Sequence, residues 1–233
     1  MKIPVLLRWL MALAILVLVT VGPVARYRWV YRHGKRLREV SPGLVYRSGW
    51  MSAPGFTEAI QRYGIRTVLN VMEDEPDPSL FESYFWGGHV SERALCKELG
   101  VRYVWLTPDL LPASPAPGQR PAAIDHFLKI LDDPASYPVL LHCRAGLHRT
   151  GVFTAIYRME YQGWSALRAW HELKANGFGE YNCYADNPYI TQYLLTYQPR
   201  LRSVARGAGR GAGEDCQTAS AGNDQIPSPG ARR

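Results

Sequence analysis

The chain has 233 residues, a length that suits one domain, or two only if both are small. Its net charge of +7 is unevenly distributed. Residues 1–38 contain eight basic and no acidic residues, residues 39–198 contain 13 basic and 17 acidic, and residues 199–233 contain six basic and three acidic. Because the central part is acidic, the composition argues against nucleic-acid binding by a folded domain.

An apolar segment lies near the amino terminus. Trp9–Ala25 is a run of 17 residues without a charge. At about 1.5 Å per residue it spans roughly 25 Å, which is less than a bilayer core of about 30 Å unless residues 5–7 and a snorkelling Arg8 extend it. We predict a transmembrane helix within residues 5–25. The alternative is a cleaved signal peptide, but Pro23 makes the small-residue cleavage site poor.

Basic residues follow the apolar segment at once, namely Arg26, Arg28, Arg32, Lys35, Arg36 and Arg38. Cytoplasmic flanks of membrane helices are enriched in Lys and Arg, so we expect the carboxyl side to be cytoplasmic. The opposite orientation stays open, because a helix near the amino terminus often leaves the following domain outside. We divide the chain into an anchor with a basic juxtamembrane segment (1–38), a folded domain (39–200) and a disordered tail (201–233), which has little to bury.

Predicted strands and helices alternate within the folded domain. The apolar patterns predict strands at 44–49, 65–71, 101–107 and 139–141. The capping and breaking residues predict helices at 54–63, 92–99, 119–131, from 150 onward, at 166–175, and from a cap at Asp186 to Tyr197. This order predicts an α/β fold with a central, mostly parallel sheet flanked by helices. In the last helix, Leu195 is expected in the buried stripe.

Residues 73–88 are acidic and then aromatic. The neighbouring carboxylates allow a metal-binding interpretation, but a solvated loop held by a few apolar side chains is the simpler one, and we favour it. Elsewhere, the cysteines form neither a CxxC pair nor a zinc-ligand spacing, and we expect no metal, cofactor or disulfide framework. These cysteines are Cys96, Cys143, Cys183 and Cys216.

The most informative stretch is Val139–Gly151, with the sequence VLLHCRAGLHRTG. An apolar strand leads into a short loop, and the loop leads into a helix. Such a loop binds anions, because its N–H groups and the helix dipole converge there. A helix amino terminus and a nearby arginine lower the pKa of a thiol from about 8.5 to roughly 3.5–7.5, which favours Cys143 as the nucleophilic thiolate. Arg149 can grip two phosphate oxygens, and Thr150 can donate a proton to the sulfur.

The pattern His142-Cys143-x-x-Gly146-x-x-Arg149-Thr150-Gly151 resembles the signature of the cysteine-dependent tyrosine and dual-specificity phosphatases. Val-Tyr-Arg-Ser-Gly at 45–49 and Tyr-Gly-Ile-Arg-Thr-Val-Leu-Asn at 63–70 resemble the atypical dual-specificity branch of plants, fungi and bacteria. The resemblance runs from about Gly43 to Tyr197. It implies a phosphatase-type fold, so that residues 39–200 form the catalytic domain. It also implies a general acid after the third strand, for which Asp109 is the candidate.

The resemblance implies hydrolysis of phosphate monoesters through a cysteinyl phosphate. The expected substrate-binding residues form the loop itself: Arg144, Ala145, Gly146, Leu147, His148 and Arg149. His148 is either a phosphate donor or a simple loop residue. Members that act on inositol phosphates or phosphoinositides often have Lys where Leu147 stands, so a phosphoprotein is the favoured substrate. The alternatives are an inositol phosphate or phosphoinositide phosphatase, and a catalytically silent phosphate-binding module. We expect a single-pass membrane protein with a cytoplasmic catalytic domain.

Overall fold

A computed structural model describes residues 4–83, 87–106, 120–179 and 188–200. The described part before residue 201 forms one compact unit. Its seven strands are β1 (Arg38–Ser41), β2 (Val45–Ser48), β3 (Thr67–Asn70), β4 (Ser79–Phe81), β5 (His89–Ser91), β6 (Arg102–Trp105) and β7 (Val139–His142). Its seven α-helices are α1 (Val5–Arg28), α2 (Ala53–Tyr63), α3 (Glu92–Glu98), α4 (Ala122–Leu131), α5 (Arg149–Gln162), α6 (Ala166–Ala175) and α7 (Pro188–Leu195).

Five strands form the central sheet in the order β1-β2-β7-β3-β6. Strands β2, β7, β3 and β6 are parallel, and β1 is antiparallel at the edge. The mostly parallel sheet is therefore as predicted. Strand β7 lies in the middle, and its four residues are all buried, as expected for a strand covered on both faces.

Helices cover both faces of the sheet. Alternate residues of β7 point to opposite faces, so Val139 and Leu141 belong to one apolar cluster and Leu140 to the other. The first cluster includes α4, α5, α6 and α7, with Phe127 and Phe153 in edge-to-face contact. The second includes α2 and α3. Because β7 is buried on both faces, its position in the fold is rigid. The start of the loop that follows β7 is therefore held in place as well.

The helix ends show the capping contacts that the sequence predicts. Ser91 Oγ accepts a hydrogen bond from the Ala94 N–H at the start of α3, and Ser165 does the same for Arg168 at the start of α6. Gly64 adopts a left-handed conformation after α2, with φ of 59°, a conformation that favours glycine. Asp186, the predicted cap of the last helix, lies outside the described residues.

Two local predictions need correction. The stretch after Glu73 contains a short hairpin, in which β4 pairs with β5 and Leu80 is fully buried. The strands there are too short for an alternation of apolar and polar residues to predict them. Leu195 is 42 % exposed and does not belong to the buried stripe, because α7 packs through Leu194.

The amino-terminal helix is long and apolar enough to span a membrane. Helix α1 continues into a π-helical turn, Trp29–Gly34, and the two together contain a strongly apolar stretch near the amino terminus. The 24 residues of α1 are about 36 Å long at 1.5 Å per residue. The uncharged run alone is shorter than a bilayer core, but the helix starts earlier, at Val5, and is therefore long enough.

The chain folds onto the domain earlier than residue 39. His33 is buried, and its Nε2 lies 2.7 Å from Glu58 Oε2 on α2. The Arg32 carbonyl accepts a hydrogen bond from the Ser52 N–H, and the Lys35 carbonyl accepts one from the Gly49 N–H. Within the basic flank of the predicted membrane helix, we use the name juxtamembrane segment from here on for residues 32–36 alone. It connects the apolar helix to the loops at one edge of the sheet.

Candidate active site

The carboxyl ends of the parallel strands meet at one edge of the sheet, as their direction requires. Strand β7 ends at His142 and is followed by Cys143. Strand β2 leads to Gly49, and β3 leads to the acidic residues that begin at Glu73. We call residues 143–149 the catalytic loop, since they contain the predicted nucleophile and arginine.

Cys143 lies at the floor of the catalytic loop. Its side chain is buried, and the Gly146 N–H donates a hydrogen bond to Sγ at 3.2 Å. Gly146 has a φ of 72°, and a Cβ there would lie 2.5 Å from the Gly49 nitrogen. Only glycine allows this close approach of the two backbones. The loop therefore directs at least one N–H at the sulfur, where a negative charge is stabilised.

Arg149 starts helix α5, six positions after Cys143. Its Nη2 lies 2.8 Å from Glu73 Oε2 and 3.6 Å from Asp74 Oδ1. Arg144, on the exposed side of the loop, pairs with Glu75 at 3.3 Å. The acidic residues after β3 are therefore partners of the loop arginines. Across the ranges that the structure describes, no group of three His, Cys, Asp or Glu side chains is placed to hold a metal ion.

Arg47 lies behind the catalytic loop. It is buried in β2, and its Nη2 donates to the Gly146 carbonyl at 2.8 Å and to the Leu147 carbonyl at 3.4 Å. Burial lowers the pKa of Arg47 to about 10, and the nearby Arg38 lowers it as well, while Cys143 acts in the opposite direction. The guanidinium therefore remains charged at neutral pH and adds positive potential beneath the sulfur.

His142 makes a buried contact with a distant glutamate. Its Nε2 lies 2.6 Å from Oε1 of Glu92, the first residue of α3, and both side chains are buried. The imidazole and the Phe56 ring are also in edge-to-face contact, with ring centroids 6.4 Å apart. This contact holds the residue before Cys143 against the helix that packs on the opposite side of the sheet from α5.

The other predicted site residues are placed as follows. The Leu147 side chain is buried, so only its backbone could face an anion. The His148 ring packs against Phe178, with centroids 5.7 Å apart. The buried Thr150 hydroxyl makes no hydrogen bond among the described residues, so its donation to the sulfur stays a prediction. Asp109 lies outside the described residues, and its role as general acid also stays a prediction.

Among the residues that the structure describes, Cys96 is the one cysteine besides Cys143, and it belongs to the apolar cluster that includes α2 and α3. Cys96 is a free thiol, fully buried in α3, and burial raises its pKa. It behaves as a small apolar core residue. Cys183 and Cys216 lie outside the described residues.

Sequence reasoning missed four residues that the fold brings to the loop or to His142 just before it: Arg36, Arg47, Glu73 and Glu92. The sequence did contain a signal for Arg47. This arginine lies in a short strand that is followed by a glycine, and an arginine is unusual in a buried sheet. Glu92 gave none, since a glutamate in the first turn of a helix is ordinary. Arg36 was assigned only to the basic flank of the membrane helix.

Comparison with known proteins agrees with this geometry. Residues 115–200 match the model of the tyrosine phosphatase family. The matched residues include the catalytic loop, so the part of the chain that contains Cys143 and Arg149 is similar to this family.

Particular relatives can be named. The dual specificity protein phosphatase TpbA of Pseudomonas aeruginosa is 49% identical over 43 residues, 18% of this chain, and the match spans only a fifth (20%) of that relative's length. The core catalytic domain of the PP-IP phosphatase SIW14 from S. cerevisiae has the same fold. It is 20% identical, with a TM-score of 0.50 over 70% of this chain and 85% of that chain.

Proposed function

We propose that the chain is a membrane-anchored, cysteine-dependent phosphatase. The observation that carries the proposal is the Gly146 N–H directed at the buried Cys143 Sγ, 3.2 Å away, in the loop at the end of the central strand. Such a loop stabilises a thiolate and then the oxygens of a transferring phosphoryl group. The name of TpbA, a dual specificity protein phosphatase, supports the same reaction class.

In the proposed mechanism, the Cys143 thiolate attacks phosphorus while Arg149 and the loop N–H groups hold the three non-bridging oxygens. The bond from phosphorus to the leaving oxygen breaks, and Asp109 gives that oxygen a proton. Water then attacks the cysteinyl phosphate, Asp109 accepts the proton from water, and the thiolate leaves. Thr150 is proposed to donate a hydrogen bond that favours this departure.

Phosphoproteins are the proposed substrates, with phosphotyrosine first. The catalytic loop carries Arg144 and Arg149, but both already face carboxylates of residues 73–75. Leu147 contributes no charge, and its side chain is buried. A rim that combines two arginines with three acidic residues favours a single phosphate over a densely phosphorylated ring. Because SIW14 is named a PP-IP phosphatase, inositol phosphates are the substrates with which phosphoproteins should be compared.

The apolar helix α1 is proposed to anchor the enzyme in a membrane, with the catalytic domain (39–200) in the cytoplasm. The length and hydropathy of α1 support the anchor. Arg26 and Arg28 in its last turn support the orientation. Residues 201–233, for which the sequence predicts a disordered tail, lie outside the described residues.

The test uses the full chain in detergent micelles, with para-nitrophenyl phosphate as substrate and a metal chelator present. We expect turnover by the wild type and none by Cys143→Ser. Binding of inorganic phosphate without turnover by the wild type would instead indicate a silent phosphate-binding module. Phosphotyrosine, phosphoserine and phosphothreonine peptides are then compared with soluble inositol phosphates by kcat/KM. A higher value for inositol phosphates would overturn the proposed substrate class.

The general acid is tested with two leaving groups. Asp109→Asn is expected to lower kcat for an alkyl phosphate far more than for para-nitrophenyl phosphate, because only the alkoxide needs protonation. Glu73→Gln is the matched control, since Glu73 is the carboxylate that contacts Arg149. If Glu73→Gln shows the leaving-group dependence and Asp109→Asn does not, the assignment of Asp109 is wrong.

A further inference from the structure

The backbone of the catalytic loop is held from outside by three donors. The Arg144 carbonyl accepts a hydrogen bond from the Trp50 N–H at 3.1 Å. The Ala145 carbonyl accepts one from Arg36 Nη1 at 3.0 Å. The Gly146 carbonyl accepts one from Arg47 Nη2 at 2.8 Å. Three consecutive peptide units are therefore fixed by groups that do not belong to the loop.

Fixing a carbonyl also fixes the N–H of the same peptide unit. In a trans peptide the two groups point in opposite directions. Because the carbonyls of residues 144–146 face outward to their donors, the N–H groups of residues 145–147 face the other way. One of them is observed there directly, since the Gly146 N–H donates to Cys143 Sγ. The donor for the carbonyl of that same unit is Arg36.

Two of the three donors are guanidinium cations. A charge-assisted hydrogen bond to a carbonyl is stronger than a neutral one and polarises the peptide, so that its N–H becomes a better donor. In this way Arg36 acts on the sulfur through one peptide unit without touching it. Arg47 polarises the next peptide unit, and its buried charge also interacts with Cys143.

Arg36 is held in place by the juxtamembrane segment. His33 is anchored to Glu58, and the Gly49 N–H donates to the Lys35 carbonyl at 2.7 Å. Lys35 and Arg36 both have positive φ, of 30° and 60°, a conformation that residues with a Cβ rarely adopt. A backbone held in this conformation requires surrounding contacts to maintain it. Here the result is that the Arg36 side chain faces the loop.

We propose that Arg36, together with Arg47, is a positioning residue for the reaction at Cys143, and that the juxtamembrane segment is part of the catalytic scaffold. The inference rests on the proposed function. It makes the segment between the apolar helix and the domain a determinant of activity as well as a spacer. A protein that begins at residue 39 lacks Arg36 and is expected to have a poorly ordered catalytic loop.

The experiment compares Arg36→Met, Arg36→Lys and Arg38→Met in the full chain in detergent micelles. Arg38 is the matched control because its guanidinium contacts Asn176 and not the loop. Three quantities are measured: kcat and KM for para-nitrophenyl phosphate, the rate of Cys143 alkylation by iodoacetamide at pH 6, and the inhibition constant of inorganic phosphate. Thermal unfolding is recorded for each variant.

We expect Arg36→Met to lower kcat/KM and the alkylation rate by about tenfold, less than the ~10²–10³ lost with a direct oxyanion donor. It should also weaken phosphate binding severalfold. Arg36→Lys should recover most of each loss, and Arg38→Met should match the wild type. Unchanged alkylation and phosphate binding in Arg36→Met would overturn the inference, as would losses in Arg36→Lys and Arg38→Met as large as those in Arg36→Met. If the wild type shows no turnover, the proposed function fails, while alkylation and phosphate binding still decide the role of Arg36.

Discussion

The carboxylate of Glu92 lies 2.6 Å from Nε2 of His142, and the two side chains are 0% and 2% exposed. They are 50 positions apart in the chain, and they join helix α3 to the end of the central strand. A polar pair buried so completely holds its two elements in one arrangement, because each partner depends on the other for a hydrogen bond.

We therefore expect Glu92→Ala to lower the free energy of unfolding by about 3 kcal/mol or more, the usual cost of removing one partner of a buried pair. Glu92→Gln keeps the volume and an acceptor oxygen, so its loss should be smaller. Denaturant unfolding of both variants provides the measurement. Similar small losses in the two variants would mean that the contact does not hold the strand in place.

The ion pair between Arg149 and Glu73 predicts an effect on substrate affinity. A phosphate that binds Arg149 competes with this carboxylate, whose side chain is 53% exposed. Exposed pairs contribute roughly 0.2–1 kcal/mol, so Glu73→Gln should lower KM for para-nitrophenyl phosphate by up to about fivefold. Glu98→Gln, an exposed glutamate on α3, is the control. A higher KM in Glu73→Gln would mean that the carboxylate assists binding.

The contact between Gly55 and the juxtamembrane segment predicts an effect on stability. A Cβ at Gly55 would lie 2.2 Å from the His33 carbonyl oxygen, whereas a Cβ at Gly34 would have no neighbour within 4 Å. Gly55→Ala should therefore cost about 1–3 kcal/mol, as overpacking does. It should also expose the basic residues of the segment to trypsin. Gly34→Ala is the control, and equal trypsin cleavage of the two variants would count against the docking.

Glu160 predicts a dependence of stability on pH. Burial alone would raise its pKa, but hydrogen bonds from Tyr197 and Arg200 outweigh that effect and bring the pKa below its usual value. The stabilisation is then complete above the unfolded pKa of about 4.3 and is lost as the pH falls through the folded value.

The measurement for Glu160 is the free energy of unfolding at pH 7 and pH 3.5. The wild type should lose more stability on acidification than Glu160→Gln, since the amide has no proton to bind. Asp125→Asn, an exposed change on α4, should keep the acid sensitivity of the wild type. If Glu160→Gln and the wild type lose the same amount, the depressed pKa does not contribute to acid unfolding.

Much of the fold and the centre of the site could be predicted from the sequence, because their signals are local. The apolar run before Cys143, the glycine at 146 and the apolar helix after Arg149 lie within one short stretch, so strand, loop and helix are visible together. The alternation of strands and helices then predicted a parallel sheet, and the parallel sheet predicted that its loops meet at one edge.

The surroundings of the loop were decided only by the tertiary structure. Glu92 reaches His142 across 50 positions, and Arg36 reaches the Ala145 carbonyl across 109. Contacts at such separations depend on strand order and on which helix covers which face. Such contacts leave no periodic pattern of residues in the sequence. The sequence by itself determined the loop that contains Cys143 and Arg149 and the class of fold, because these follow from neighbouring residues. Packing decided which distant charges hold that loop, because a side chain's partner is set by where the folded backbone places it.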